Sequence, residues 1–346
     1  WGDPESTWYR KEGFNGHDWA FCMLLNFGGN VGMFGKLQHV VDEYYKARQS
    51  KFASTMKGVG LTMEGIENNP VMYELVMELP WRDAKFSWKE WLHDYVEARY
   101  GNINNAKVHD AWQLLARSVY GAGAKIVEQG CHESVLCARP ALDVYQVSSW
   151  SEMEEFYNPD DVIRAARLMV EASHEVKSNA NFRYDLVDVT RQAIAEQARY
   201  VYDEVVAAYK AKDRKMFGYT TKRFLDILLQ QDRLLSSMPD FMVGGWIRSA
   251  RNLGQNEQER NHYEWNARVQ ITTWGNRSAA ESGGLREYAH KEWNGVLADF
   301  YYPRWKAYFE ALAATLDGKP MKQLDFYAMD EKWTLLHNVY PYEAQG

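Results

Sequence analysis

Apolar and polar positions divide the chain into two regimes. Near the N-terminus, Phe21-Cys22-Met23-Leu24-Leu25 is a short apolar run that stops at Asn26-Phe27-Gly28-Gly29-Asn30. An apolar run of this length, bounded by turn residues, predicts a buried strand. A helical stretch follows over 36–48, and a second strand is expected over 54–63, ending at Glu64-Gly65. Asn69-Pro70 predicts the start of a helix, with Asn as cap and Pro at the first helical position. Strand, loop, helix, strand, loop, helix is the order of βα units. Two such units do not close a sheet, so the segment up to Trp81 predicts the edge of a larger α/β body. A chain that opens on Trp1 rather than Met fits a fragment or a processed protein.

Beyond Trp81 the period changes to that of helices. Ser87-Trp88-Lys89-Glu90 has the form of a capping box, and Trp88, Trp91, Leu92 and Tyr95 follow at helical spacing until Gly101 supplies a stop. Asn158-Pro159-Asp160-Asp161 combines a cap, a first-turn proline and two acids favoured by the helix dipole. The longest periodic run covers 184–212, where Val187, Ile194, Ala198, Val201, Val205 and Ala208 keep three/four spacing. Further helices are predicted over 215–237, 245–253, 255–272, 285–317 and 324–339. The expected fold is mainly α: a βα segment over 1–81, then an all-α domain over 82–346 whose helices pack on one another.

Charge and composition narrow the function. The 346 residues carry 40 basic and 47 acidic side chains, a net charge of −7, which argues against binding nucleic acid through its phosphates. No apolar run is long enough to span a membrane, and the N-terminus has no signal-peptide pattern. Three cysteines make no disulfide scaffold, although Cys131 and Cys137 stand close enough in sequence to pair. Asn276-Arg277-Ser278 is a lone glycosylation tripeptide. The unusual feature is 14 Trp and 22 Tyr; aromatic faces pack cores and also receive the CH-rich faces of sugars.

Several residues are candidates for chemistry. The glycines of 28–35 match neither G-x-G-x-x-G nor a Walker loop, so a structural loop that lets a ligand approach the backbone is the better reading. Glu64 closes a predicted parallel strand, where α/β barrels carry their catalytic groups; the plain alternative is a loop acid or a helix cap, and Glu67 competes with it. The histidines form no H-E-x-x-H string, and Cys131-His132 with Cys137 lacks a fourth ligand and zinc spacing. His132 reads as a pocket or surface histidine. Trp274 ends a helical stretch and opens a polar, glycine-rich loop, a place where large rings often line sites. Trp88, Trp91 and Trp112 read as core.

These residues carry a resemblance. The run Phe21-Cys22-Met23-Leu24-Leu25-Asn26-Phe27-Gly28-Gly29-Asn30-Val31-Gly32-Met33-Phe34-Gly35 resembles the CML-NFGGN-G-FG motif of the α-N-acetylglucosaminidase family of glycoside hydrolases. So do Gly58-Val59-Gly60-Leu61-Thr62-Met63-Glu64-Gly65-Ile66 and Glu78-Leu79-Pro80-Trp81-Arg82. The likeness continues through Arg117-Ser118-Val119-Tyr120, Phe182-Arg183-Tyr184-Asp185-Leu186, Asp188–Ala193, Trp274-Gly275, Tyr288-Ala289 and Tyr301-Tyr302-Pro303-Arg304-Trp305. The resemblance implies a (β/α)8 barrel followed by an all-α domain, of which this chain would hold the last barrel units and the whole helical part.

It also implies retaining hydrolysis of terminal, non-reducing α-linked N-acetylglucosamine, with a glycan as partner and with no metal or cofactor. Residue by residue, Glu64 matches the nucleophile. Leu24, Phe27, His132, Trp274 and Tyr288 match pocket positions, and Leu285 fills the apolar place one turn before Tyr288. The family's acid/base glutamate follows an Asn on an earlier strand that has no counterpart here, so the chain alone is expected to be inactive. Secretion or a periplasmic location is implied for a bacterial member, a lysosomal one for an animal member. A homo-oligomer stays open. The competing class is a non-catalytic helical scaffold or carbohydrate-binding module.

Overall fold

The computed structural model describes residues 6–65, 68–123, 133–148 and 156–345. Its contacts gather the chain into two compact units, 1–131 with 155–189 and 132–154 with 190–346. Unit 1 begins with a short helix α1 (Thr7–Arg10) and contains the sheet, two parallel strands β1 (Trp19–Leu25) and β2 (Met56–Met63). Helix α2 (Leu37–Arg48) is the crossover between them, as a parallel pair requires. The register sets Leu24 opposite Thr62 and Leu25 opposite Met63, so both strands end side by side.

Alternation along β1 separates two faces. Trp19, Phe21, Met23 and Leu25 are buried; Phe21 meets Tyr44 of α2 edge to face at 5.7 Å, beside Val40 and Val41. Ala20 and Cys22 of the opposite face are exposed and Leu24 is half-buried. Helix α3 (Pro70–Glu78) follows β2 and buries Val71, Met72, Leu75 and Val76. Then come α4 (Trp88–Tyr100), α5 (Ala106–Arg117) and α6 (Pro159–Val176), each presenting an apolar stripe: Trp91, Leu92, Tyr95 and Val96; Val108, Ala111, Trp112 and Leu115; Val162, Ala165, Met169 and Ala172. The expected caps are present where Ser87 accepts the Lys89 amide, Gly101 adopts φ 83°, and Asn158 accepts the Asp160 amide. A buried polar chain ties α4 to the first turns of α7 (Ala180–Lys210). Arg99 grips Asp185 through two nitrogens at 2.5 and 2.8 Å, Tyr100 donates to the same carboxylate at 2.6 Å, and Trp112 donates to the Tyr100 hydroxyl at 2.9 Å.

Unit 2 is helical among the described residues. It holds the rest of α7, then α8 (Arg214–Leu235), α9 (Val243–Arg251), α10 (Glu257–Gln270), α11 (Tyr302–Leu316) and α12 (Phe326–Thr334). Its core is an aromatic cluster from α7, α8 and α11. The Trp305 ring lies 4.8 Å from Phe224 and 5.1 Å from Tyr202, and its indole nitrogen donates to the Leu136 carbonyl at 3.1 Å. This packing accounts for much of the aromatic excess. Among the described residues no helix is long and apolar enough to cross a membrane.

Two local expectations are corrected. Asn69 does not cap α3 with its side chain: it sits at φ 50°, and its amide serves the glycine loop instead. The helix expected over 285–317 exists only from Leu297, first as a π-helical turn (Leu297–Tyr301) and then as α11. Glu287 and Gly295 take left-handed φ of 61° and 87°, which breaks a helical ladder. The backbone between them bonds elsewhere, Glu287 N–H to the Thr272 carbonyl at 2.8 Å and Asn294 N–H to the Phe241 carbonyl at 2.8 Å. Cys137 is buried, and Cys131, the partner considered for it in a disulfide, lies outside the described residues.

Candidate active site

In unit 1 the site grows from the ends of the two strands. Glu64 is the first residue beyond β2, exposed at the C-terminal edge of the pair. The loop leaving β1 turns at Asn26, Gly28 and Gly29 with φ of 51°, 66° and 64°, and brings the Gly28 amide to 2.6 Å from Glu64 Oε2. An N–H donated to a carboxylate is a charge-assisted bond that also fixes the orientation of the acid. Gly29 has to be glycine on a second count: a Cβ there would lie 2.7 Å from the Glu64 carbonyl oxygen.

Asparagines build the loop. Buried Asn26 donates to the Asn30 and Gly32 carbonyls at 2.9 and 2.8 Å, Asn30 donates to the Phe27 carbonyl at 3.2 Å, and Asn68 also donates to Asn30. Asn69 donates to the Gly32 carbonyl at 3.2 Å while accepting the Phe34 amide and the Tyr120 hydroxyl, both at 3.1 Å. Tyr73 of α3 donates to the Gly65 carbonyl at 3.4 Å. Side-chain amides thus satisfy a loop that lacks its own ladder. Leu24 and Phe27 are half-buried on this rim, with Leu24 on the strand face opposite Phe21 and Met23. His132 and Glu67 lie outside the described residues.

In unit 2, Trp274, Leu285 and Tyr288 come together. Trp274 ends the α10 segment in a left-handed turn at φ 56°, its amide bonded to the Val269 carbonyl at 2.8 Å. A bulky residue at positive φ is held there by its surroundings. Its ring is 37% exposed and meets Tyr288 edge to face at 4.9 Å. Leu285 is half-buried, and its carbonyl accepts the Tyr288 amide at 3.2 Å.

Glu287, between them, anchors the turn. Its carboxylate accepts the Tyr301 hydroxyl at 3.0 Å and pairs with the buried Arg304, while its amide reaches Thr272, two residues before Trp274. Sequence reading missed Glu287 and the Gly28 amide; the only sequence trace of the second is the density of Asn and Gly after β1. Nearby, Glu133 accepts the Val147 and Ser148 amides at 2.6 and 3.0 Å, and complete burial pushes its carboxyl up to about 8 against those bonds. Burial lowers the neighbouring His290 to about 4.

Two clefts among the described residues lie away from these side chains. One of about 200 Å³ lies along the first half of β1, between Trp8, Trp19 and Glu43, and one of about 400 Å³ lies between α9, α10 and the C-terminal segment.

A parallel βα edge with an acid at its strand ends, continued by a helical body, defines the class: the end of a (β/α)8 barrel carrying an all-α domain. The chain belongs to the alpha-N-acetylglucosaminidase (NAGLU) family, whose C-terminal domain matches residues 91–346 and whose tim-barrel domain matches residues 1–83. Alpha-N-acetylglucosaminidase of Homo sapiens is 34% identical over 351 residues, covering 99% of this chain and 45% of the human protein. A family 89 glycoside hydrolase of Clostridium perfringens, solved in complex with its substrate GlcNAc-alpha-1,4-galactose, superposes with a TM-score of 0.94 at 30% identity. That match covers 100% of this chain and 39% of the bacterial one, and the same holds for the family 89 hydrolase in complex with 2-acetamido-1,2-dideoxynojirmycin. The chain therefore spans less than half the length of these relatives.

Proposed function

We propose that the whole protein is a retaining exo-glycosidase that removes terminal non-reducing α-linked N-acetylglucosamine, with Glu64 as nucleophile. The observation that carries this reading is the carboxylate of Glu64 at the end of a parallel strand, aimed by the Gly28 amide at 2.6 Å. Barrel enzymes place their chemistry at that edge. The substrate named for the bacterial relative, GlcNAc-alpha-1,4-galactose, supports the sugar and the linkage.

In this account Glu64 attacks the anomeric carbon and forms a glycosyl-enzyme as the aglycone oxygen leaves with a proton. A second carboxyl group about 5–5.5 Å away gives that proton and then takes one from water. By family likeness, Leu24, Phe27, His132, Trp274, Leu285 and Tyr288 are the residues that contact the sugar. The rings offer apolar faces to the sugar. The domain division follows the family, barrel units over 1–81 and the helical domain over 82–346. The acid/base residue sits on an Asn-Glu strand that this sequence lacks, so the chain by itself is inactive. A glycan-trimming role fits a secreted or periplasmic bacterial protein, or a lysosomal animal one.

The test is Glu64→Gln in the whole protein, assayed on an aryl α-N-acetylglucosaminide. Turnover should fall by several orders of magnitude while the fold is kept. Turnover close to that of the unaltered enzyme removes Glu64 from the chemistry and leaves the helical scaffold or sugar-binding module as the better reading.

A further inference from the structure

Three side chains with metal-binding atoms meet on the surface of unit 1, far in sequence from the glycan residues. His93 and Glu97 stand one turn apart on α4, at i and i+4, and so share a face. His109 comes from the first turns of α5. Between the helices, Gly101, Asn102 and Asn104 take φ of 83°, 58° and 44°, which reverses the chain and brings His109 back over α4.

His109 Nε2 lies 2.5 Å from Glu97 Oε1, and the His93 and His109 rings stack with centroids 4.4 Å apart at 20°. One ligand atom from each residue falls within 4.8 Å of the others. Both oxygens of Glu97 also accept the Asn104 amide, at 3.1 and 3.2 Å, so the interhelical turn itself aims the carboxylate. Burial opposes its charge, but the bonds from His109 and Asn104 outweigh that and hold its pKa below the usual carboxylate value.

Two imidazole nitrogens and one carboxylate oxygen form the donor set of a borderline divalent ion. Zinc takes such nitrogens at about 2.0–2.1 Å and such oxygens at about 2.0–2.2 Å in a tetrahedron. A donor spread of up to 4.8 Å closes onto that geometry by rotation of the exposed His93 towards the half-buried His109 and Glu97. The set has no thiolate, which disfavours Cu(I), and too few oxygens for calcium or magnesium.

We propose that His93, Glu97 and His109 form a binding site for a zinc-class divalent ion that clamps α4 to α5, with water completing the coordination. It is separate from the glycosidase chemistry and stands whether or not that reading holds. The ion takes the place of the His109–Glu97 contact and binds the folded helix pair alone, so it raises the thermal midpoint by mass action.

The experiment strips the protein with a chelator, removes the chelator, and titrates with Zn2+ alone in a calorimeter. One Zn2+ should bind per chain with micromolar or tighter affinity and raise the thermal midpoint. Co2+ in its place should show the visible absorption of nitrogen and oxygen coordination. His93→Ala and Glu97→Gln should each weaken binding by about tenfold or more, the loss expected when a coordinating shell is breached. Because His93 is exposed, His93→Ala keeps the fold, shown by an unchanged midpoint in chelator, even if His109→Ala does not. No Zn2+ binding by the unaltered protein, or binding unchanged in His93→Ala and Glu97→Gln, overturns the proposal.

Discussion

One added methyl group at Gly29 should displace Glu64 while leaving every polar side chain of the site in the sequence. The Gly29 backbone sits at φ +64°, where an L side chain costs about 1–2 kcal/mol. The new Cβ would stand 2.7 Å from the Glu64 carbonyl oxygen and 3.0 Å from the Gly65 Cα. Ordinary contact needs about 3.5 Å, so the two loops must part by roughly 0.8 Å at the closest point. Both obstacles are backbone, so no flexible side chain can yield in their place, and the 2.6 Å bond from Gly28 to Glu64 opens with them. A shift of about 1 Å at a reacting group costs up to about a hundredfold in rate.

Gly29→Ala is therefore expected to lose at least about 1–2 kcal/mol of stability in urea titration. In the whole enzyme, kcat on an aryl α-N-acetylglucosaminide should fall by about ten- to a hundredfold. Gly245→Ala is the matched control. It lies on α9 with nothing within 4 Å of an added Cβ and no positive φ, and it should gain about 0.5–1 kcal/mol. A Gly29→Ala protein with unaltered stability and kcat would refute the reasoning, because the loop would then have yielded without moving the acid.

Two further outcomes follow from the helical unit. Trp274→Gly removes the ring that meets Tyr288 at 4.9 Å and relieves a left-handed backbone at φ 56°. KM should rise about two- to tenfold, the equivalent of one aromatic contact, with stability held to within about 1 kcal/mol; an unchanged KM takes Trp274 out of the pocket. His290, lowered to about 4 by burial, is neutral in the folded chain, whereas the unfolded chain takes up its proton near pH 6.5. Its contribution is thus present above pH 6.5 and is lost as pH falls towards 4. Glu133, raised to about 8, acts with the opposite sign between pH 4.5 and 8, since the folded state keeps its proton longer. The comparison with His290→Asn isolates the histidine: on going from pH 7 to pH 4.5 the urea midpoint of the variant should shift in the stabilising direction relative to that of the unaltered protein, and an equal shift in both contradicts the assignment.

Much of this was legible from periodicity. The β1 run, the strand ending at Glu64, the Asn158 cap and the long helix through Val187 and Val205 are local patterns, and local patterns survive packing. Glu64 could be singled out because a strand end is a place as well as a residue. What sequence could not show depends on partners distant along the chain. Asn69 looks like a helix cap, but the glycine loop claims its side chain. The apolar spacing after Leu285 looks helical, but the Glu287 amide is drawn to Thr272 and its carboxylate to Arg304. The His93, Glu97 and His109 cluster exists only after α4 and α5 pair, so no string of residues announces it. Trp274 and Tyr288 are linked in the sequence only by family likeness, and in the structure by touching rings.

The role of Glu64 as nucleophile is tested most directly by trapping it. The whole enzyme is treated with an N-acetylglucosamine donor that carries a good leaving group and a ring substituent that slows hydrolysis of the glycosyl-enzyme, and is then digested for mass spectrometry. The account predicts one added sugar on the peptide that contains Glu64, and none in Glu64→Gln. A sugar carried by a different carboxylate, or rapid inactivation that leaves the Glu64 peptide unlabelled, would contradict it.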